Sequence, residues 1–298
     1  MDNTHEAPMI EDRHLTVDKH LLHIHSGGVT SKLPTIVLEA GCGCTLQTWH
    51  TIEQALGAQT RVLAYERAGV GSSDCKVDST SAAAVAQRLA SLLQATQTPT
   101  PVILVGHSLG GLYSRYFAAT RPEQVAGLVL LDASPEDLPT PRSYSWKPRI
   151  LMWLLHGLAR LRVIQPLAAL LSKPGTDLAA LKHHLNTIGR FRHVKTALME
   201  IGAKADIQAE VARLSLAAQL PVLAVSAGAM PPGAPQEQHD AVQRSHDKLA
   251  AAGAPPYSRH FRVEGATHMS LLTDPQYAAV VAKQVLDFAR QIQQKTGA

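Results

Sequence analysis

Pro101-Val102-Ile103-Leu104-Val105-Gly106-His107-Ser108-Leu109-Gly110-Gly111 runs from an unbroken apolar stretch, through a glycine-flanked serine, into a segment with helical composition that reaches Ala119. A short continuous apolar run bounded by turn residues reads as a strand buried on both faces. Gly106 and Gly110 allow a sharp turn between strand and helix, which would expose the Ser108 oxygen at the C-terminal end of the strand. A helix opening at Leu109 would aim its free amides and positive dipole end at that oxygen. Ser108 is therefore the candidate nucleophile, and the Leu109 amide a candidate donor to an oxyanion.

The same alternation extends outward from this stretch. Upstream, Thr35 to Glu39 and Arg61 to Tyr65 read as strands, and Leu46 to Leu56 and Ser81 to Ala95 as helices. Downstream, Val125 to Leu131, Pro221 to Val225 and Ser258 to Val263 read as strands. Helices are expected at Gln236 to Ala252 and from Asp274 to about Gln293. Apolar strands alternating with helices predict an α/β fold, a mostly parallel doubly wound sheet covered on both faces. His14 to Val17 and Leu21 to His25 flank a short connection and predict an antiparallel hairpin at one edge.

The alternation stops at Pro135 and resumes after Ala218. Between them Ile150 to Leu161, Pro166 to Ser172, Leu178 to Ile188 and Val194 to Ala205 read as helices. The expected organisation is a core of residues 1–134 and 219–298 with a helical cap over residues 135–218. From Pro139 to Lys204 there are eleven Lys or Arg against Asp177 and Glu200. These bases are spread out, as on a solvated helical face, and no basic–aromatic cluster points to nucleic acid. Contact of the cap with an anionic membrane is the less favoured use of this surface.

His268 is the candidate base among fifteen histidines, because it lies on a short loop between the last strand and the last helix. Such a loop at the C-terminal edge would reach over the sheet towards Ser108. A second oxyanion amide is expected from the turn after the Thr35 to Glu39 strand, from Cys42 or else from Gly41, Gly43 or Cys44. The His107 ring should point away from the nucleophile. His107 and Trp153, in the cap, are nevertheless the candidate substrate contacts.

Four segments together resemble the α/β-hydrolase superfamily over nearly the whole chain apart from the insertion. They are Glu39-Ala40-Gly41, Arg67-Ala68-Gly69-Val70-Gly71-Ser72-Ser73, Gly106-His107-Ser108-Leu109-Gly110-Gly111 and Gly265-Ala266-Thr267-His268. The resemblance implies a triad of Ser108, an acid and His268. Members commonly carry the acid after the strand equivalent to Pro221 to Val225, but Ser226 to Pro232 contains no carboxylate. The other position used in the superfamily, the end of the preceding strand, is here Asp132. Asp132 is the favoured partner of His268, with Asp240 the alternative.

Hydrophobic residues make up 45% and charged residues 17% of the 298 residues, which suits a globular chain. Met1 to Glu6 lacks a basic start followed by an apolar run, so a cytoplasmic protein is expected. Three cysteines give no disulfide framework, and Cys42-Gly43-Cys44 lacks further ligands at zinc-site spacing, so neither a metal nor a cofactor is expected. The apolar cap suggests hydrolysis of small-molecule carboxylic esters with a hydrophobic acyl or alcohol part. Lactonase, amidase, C–C hydrolase and cofactor-free oxygenase or haloperoxidase chemistry on the same triad are alternatives. A non-catalytic ligand receptor and a membrane-binding module are others.

Overall fold

The computed structural model describes residues 9–74, 77–138, 150, 154, 157, 187, 190–230 and 236–296. Strands β1 (Ile10–Val17) and β2 (His20–Gly28) form the expected hairpin, and both are longer than the apolar pattern suggested. Their outer halves are rich in polar residues, which hides strand periodicity in the sequence. Strands β3 (Ile36–Glu39), β4 (Arg61–Tyr65), β5 (Val102–His107), β6 (Val125–Leu131), β7 (Val222–Ala227) and β8 (Arg259–Val263) are mutually parallel. The sheet order is β1-β2-β4-β3-β5-β6-β7-β8, with β2 antiparallel to β4. Strand β5, which leads into Ser108, is thus central, between β3 and β6, so its C-terminal end is flanked by the loops of both neighbours.

Side chains alternate between the two faces of the sheet, as the pleat requires. Ile36, Leu38, Ile103, Val105, Val129, Leu131, Leu223 and Val225 share one core. Against it pack Ile52 and Leu56 of α1 (His50–Gly57) and Val281, Val285, Phe288 and Ile292 of the C-terminal helix. Val37, Leu63, Leu104, Leu128, Leu130 and Val222 turn the other way. They meet Ala86, Leu89, Leu92 and Leu93 of α2 (Ala82–Ala95) and Phe117 of α3 (Leu109–Thr120). The expected single helix from Leu46 begins instead as a 3₁₀ turn, Leu46–Trp49, before α1. Ser81 caps α2 through a side-chain bond from the Ala84 amide.

Within residues 135–218, α4 (Phe191–Val211) is longer than the expected Val194 to Ala205. Its Ile207 and Val211 pack on Leu109, Leu112 and Tyr113 of α3, so α4 is fastened to the helix that follows Ser108. The other helices expected in the insertion fall almost wholly outside the described residues, as does Trp153. The chain closes with α5 (Gln236–Ala251), the single turn α6 (Ser270–Thr273) and α7 (Pro275–Thr296). No helix among the described residues is long and apolar enough to cross a membrane.

Phe288 is fully buried, and its ring lies over Gly127 of β6, where a Cβ would come within 2.9 Å of the ring. Phe288→Ala should therefore lower the unfolding free energy by about 3–5 kcal/mol, read as a reduced midpoint with little change of slope in urea denaturation.

Candidate active site

The turn from β5 into α3 carries Ser108 at φ 52°, ψ −120°, a backbone conformation that L-residues rarely adopt. Close packing on three sides holds the chain there. A Cβ on Gly106 would meet the Ser114 hydroxyl and the Gly110 carbonyl at 2.6 Å, one on Gly110 the Glu39 carbonyl at 2.3 Å, and one on Gly111 the Ala133 methyl at 2.4 Å. The Ser108 amide donates to the Leu131 carbonyl (3.1 Å), and its carbonyl accepts from the amides of Gly111 (3.1 Å) and Ser134 (2.9 Å). The side chain of Ser108 remains partly accessible.

Asp132 follows β6 and also has a positive φ, 41°. Its amide donates to the Val225 carbonyl, and its Oδ1 accepts from the Ala227 amide at the end of β7 (3.1 Å). Oδ2 accepts from Nδ1 of His268 at 2.6 Å. Burial by itself would raise the Asp132 carboxyl, but the hydrogen bond and charge of His268, with smaller help from His246 and the Ala227 amide, bring it below its ordinary value. An ionised carboxylate only accepts, so the His268 proton belongs on Nδ1 and the lone pair on Nε2. Asp240, the alternative acid, sits on α5 and accepts instead from the Gln236 side chain at 2.8 Å. The structure brings Asp132 to His268 and leaves Asp240 apart.

The loop carrying His268 is braced by the Ala229 amide on the Ala266 carbonyl (2.9 Å) and by the Thr267 amide on the Ser270 hydroxyl (2.8 Å). His107 lies beneath it. Its Nε2 donates to the His268 carbonyl at 3.3 Å, and the two rings stand 4.5 Å apart. His107 is fully buried, with Trp49 edge-on to its other side, so its ring packs under His268 and does not line an open pocket as a substrate contact would. Burial, then the proximity of His268, pushes its pKa down to about 3, which keeps it neutral at ordinary pH.

The turn after β3 abuts Ser108: a Cβ on Gly41 would lie 3.3 Å from Cβ of Ser108. Two of its four candidate oxyanion amides are already engaged. Gly43 donates to Glu200 Oε2 (3.0 Å) and Cys44 to the Gly41 carbonyl (3.2 Å). The carbonyls of Ala40 and Gly41 accept from Arg67 Nη1 (2.6 Å) and Nη2 (2.8 Å). In a trans peptide the N–H points opposite to the C=O. The Cys42 amide, which shares its peptide with the Gly41 carbonyl, therefore faces away from Arg67. Desolvation raises both thiols, Cys44 to about 11, so neither is a thiolate at neutral pH.

Arg67 is the residue that the sequence reading did not single out. It also bonds Glu200 of α4 through two nitrogens (2.7 and 3.0 Å) and Glu39 through Nη1 (2.6 Å), and the Tyr65 hydroxyl donates to Glu39. All three charged groups are buried. Burial would lower the Arg67 pKa, but the two carboxylates hold it far above its usual value. His193 of α4 accepts from the Gly71 amide (3.0 Å) and braces the loop that follows Arg67. The available signal was a set of charged residues, Glu39 and Arg67, directly at the ends of apolar strands.

Glu200→Ala leaves Arg67 buried with half its countercharge, and breaking such a pair costs about 3–5 kcal/mol. Urea denaturation should show that loss, with a smaller one for Glu200→Gln. The Asp132 carboxyl is lower folded than unfolded, so its pairing contributes fully above about pH 3.9 and is lost as pH falls through the folded value. Asp132→Asn should thus be destabilised at neutral pH and converge on the wild type in strong acid, as measured by urea midpoints across pH.

Comparison with known proteins agrees with this architecture. The alpha/beta hydrolase family model matches residues 24–282. The crystal structure of Cfl2 from Burkholderia cenocepacia is 25% identical and has a TM-score of 0.69, covering 94% of this chain and 95% of that one. The enol-lactonase from Burkholderia xenovorans LB400 shares the fold at 20% identity and a TM-score of 0.65, over 93% of this chain and 99% of that one. YqjL of Bacillus subtilis strain 168 is 32% identical over 103 residues, 35% of this chain and 41% of that protein. The matched stretches span less than half the length of the first curated relatives. The family match, which takes in the sheet from β2 onward, the elbow and the His268 loop, makes this chain a member of the alpha/beta hydrolase family.

Proposed function

We propose that the protein is a cofactor-free carboxylic-ester hydrolase acting through an acyl-enzyme on Ser108. The observation that carries this reading is the 2.6 Å bond between His268 Nδ1 and Asp132 Oδ2, made on a loop packed against the residue that precedes Ser108. In the proposed cycle, Nε2 of His268 takes the Ser108 proton as the hydroxyl attacks the ester carbonyl. Asp132 holds the imidazole in the required tautomer and stabilises the imidazolium. The amides of Cys42 and Leu109 stabilise the tetrahedral oxyanion. His268 then returns the proton to the departing alcohol. Water, activated by the same base, attacks the acyl-serine and releases the carboxylic acid.

The preference for a hydrophobic acyl or alcohol part is supported by the apolar composition of residues 150–164. It is also supported by exposed apolar side chains among the described residues. Met269 adjoins His268, Met230 follows β7, and Phe191 opens α4. Exposed side chains of this size suit contact with an apolar substrate chain.

The test is turnover of p-nitrophenyl esters of graded chain length, with a lactone panel alongside. Ser108→Ala should abolish turnover and labelling by a fluorophosphonate. Asp132→Asn should retain the fold but lower kcat by about 10⁴-fold. Asp240→Asn should leave it unchanged. Ester turnover that survives in Ser108→Ala would sink the proposal, and hydrolysis of lactones alone would replace the ester assignment.

A further inference from the structure

A second cluster of functional groups lies on the edge hairpin, separate from the elbow. In the β1–β2 register Asp12 is opposite His25 and His14 is opposite His23. The two-residue strand period puts all four on one face. His23 Nε2 lies 2.6 Å from Asp12 Oδ1, and His25 Nε2 lies 3.6 Å from Asp12 Oδ2. One ligand atom from each of Asp12, His23 and His25 falls within 4.8 Å of the other two. The opposite ring nitrogens are held from below. His23 Nδ1 donates to Glu66 Oε2 (3.0 Å), and His25 Nδ1 to Glu53 Oε2 (2.9 Å).

We propose that Asp12, His23 and His25 bind one divalent transition-metal ion, with Zn²⁺ the best match. Imidazole and carboxylate are the ligand types that zinc takes at about 2.0–2.2 Å, with a fourth position open to water. Ligand atoms around such an ion stand roughly 3.3 Å apart. The two spacings to Asp12, 2.6 and 3.6 Å, thus need adjustments of under about 1 Å, and the spacing between the two histidines, within 4.8 Å, one of at most about 1.5 Å. The carboxylate–histidine arrangement is the second observation. Metal-binding histidines characteristically donate their other N–H to a carboxylate, which fixes the ring and raises its basicity. Here both histidines do so, to carboxylates that are almost wholly buried in α1 and at the end of β4. Three carboxylates around two imidazoles favour a dication.

The surroundings suit a site with one open side. The Asp12 side chain is 66% exposed, whereas His23 and His25 are 14% and 19% exposed. Solvent has access from the Asp12 side. His14 stacks on the His23 ring at 4.8 Å and has its own contact, Nε2 to the Ser72 carbonyl at 3.3 Å, so it buttresses a ligand. Strands β4 and β3 separate β2 from β5, so the cluster stands about 14 Å across the sheet from the elbow. The ion would not take part in ester hydrolysis. It would tie the hairpin to α1 and, through Glu66, to the Leu46 and Ser72 amides that this carboxylate also accepts from. Binding to the folded state alone stabilises it by mass action.

The test uses the full chain after EDTA treatment and dialysis. Co²⁺ is titrated and followed by its visible absorption, and Zn²⁺ is measured by competition with a chromophoric chelator. One equivalent should bind, with a tetrahedral-type Co²⁺ spectrum and a rise in Tm. Asp12→Asn changes an exposed edge side chain and should keep the fold by circular dichroism while weakening binding at least about tenfold. Glu53→Gln should weaken it by about 10–100-fold. Absence of saturable one-equivalent binding would overturn the proposal. So would equal affinity in the wild type and Asp12→Asn, because the ion would then sit elsewhere.

Discussion

The buried Arg67 guanidinium holds together three parts of the chain that are far apart in sequence. Its hydrogen bonds reach Glu39 at the end of β3, the Ala40 and Gly41 carbonyls in the following turn, and Glu200 on α4. A guanidinium removed from water is tolerable only where its fork of donors is satisfied by charge and by carbonyl oxygens. That requirement fixes the turn beside Ser108, since two of its carbonyls are acceptors. Their peptide amides are thereby turned to the other side. The same requirement anchors α4, because Glu200 belongs to it. The shape of the turn and the attachment of α4 are therefore consequences of one charge placement.

A different balance governs the histidines. His107 and His268 lie ring against ring, yet their surroundings divide their work. His107 has no carboxylate in hydrogen-bonding contact, is fully buried and stays neutral. His268 is partly exposed and faces an ionised Asp132. Both imidazoles have their tautomer set by a partner, His107 by the His268 carbonyl and His268 by Asp132, but only His268 has a carboxylate partner and solvent access. At the hairpin the arrangement is reversed. His23 and His25 have carboxylates on both sides, which suits the holding of a cation better than proton exchange with a substrate.

Much of the fold was legible because it follows from local pattern. The apolar runs at 35–39, 61–65, 101–105, 125–131 and 221–225 became parallel strands, and Ser81 and the helical segments after it behaved as their composition required. Ser108 and Asp132 directly follow β5 and β6, and His268 lies on the loop after β8, so the sequence placed these candidates at strand ends, which gather at one edge of a parallel sheet. Element boundaries were less legible. The polar outer halves of β1 and β2 concealed four residues at the start of the hairpin, and the 3₁₀ turn at Leu46–Trp49 has no sequence signal distinct from α1.

By itself the sequence determined the strand–helix alternation, the glycine-flanked elbow and the order of Ser108, Asp132 and His268 along the chain, because steric and hydrophobic preferences act over a few residues. Only the tertiary structure decided the pairings. It brought His268 to Asp132 across 136 positions, Arg67 to Glu200 across 133, and two hairpin histidines to carboxylates on α1 and just after β4. The reason is physical. A hydrogen bond depends on distances of about 3 Å and on burial, and neither is encoded in the spacing of residues along a chain until the sheet has set strand against strand.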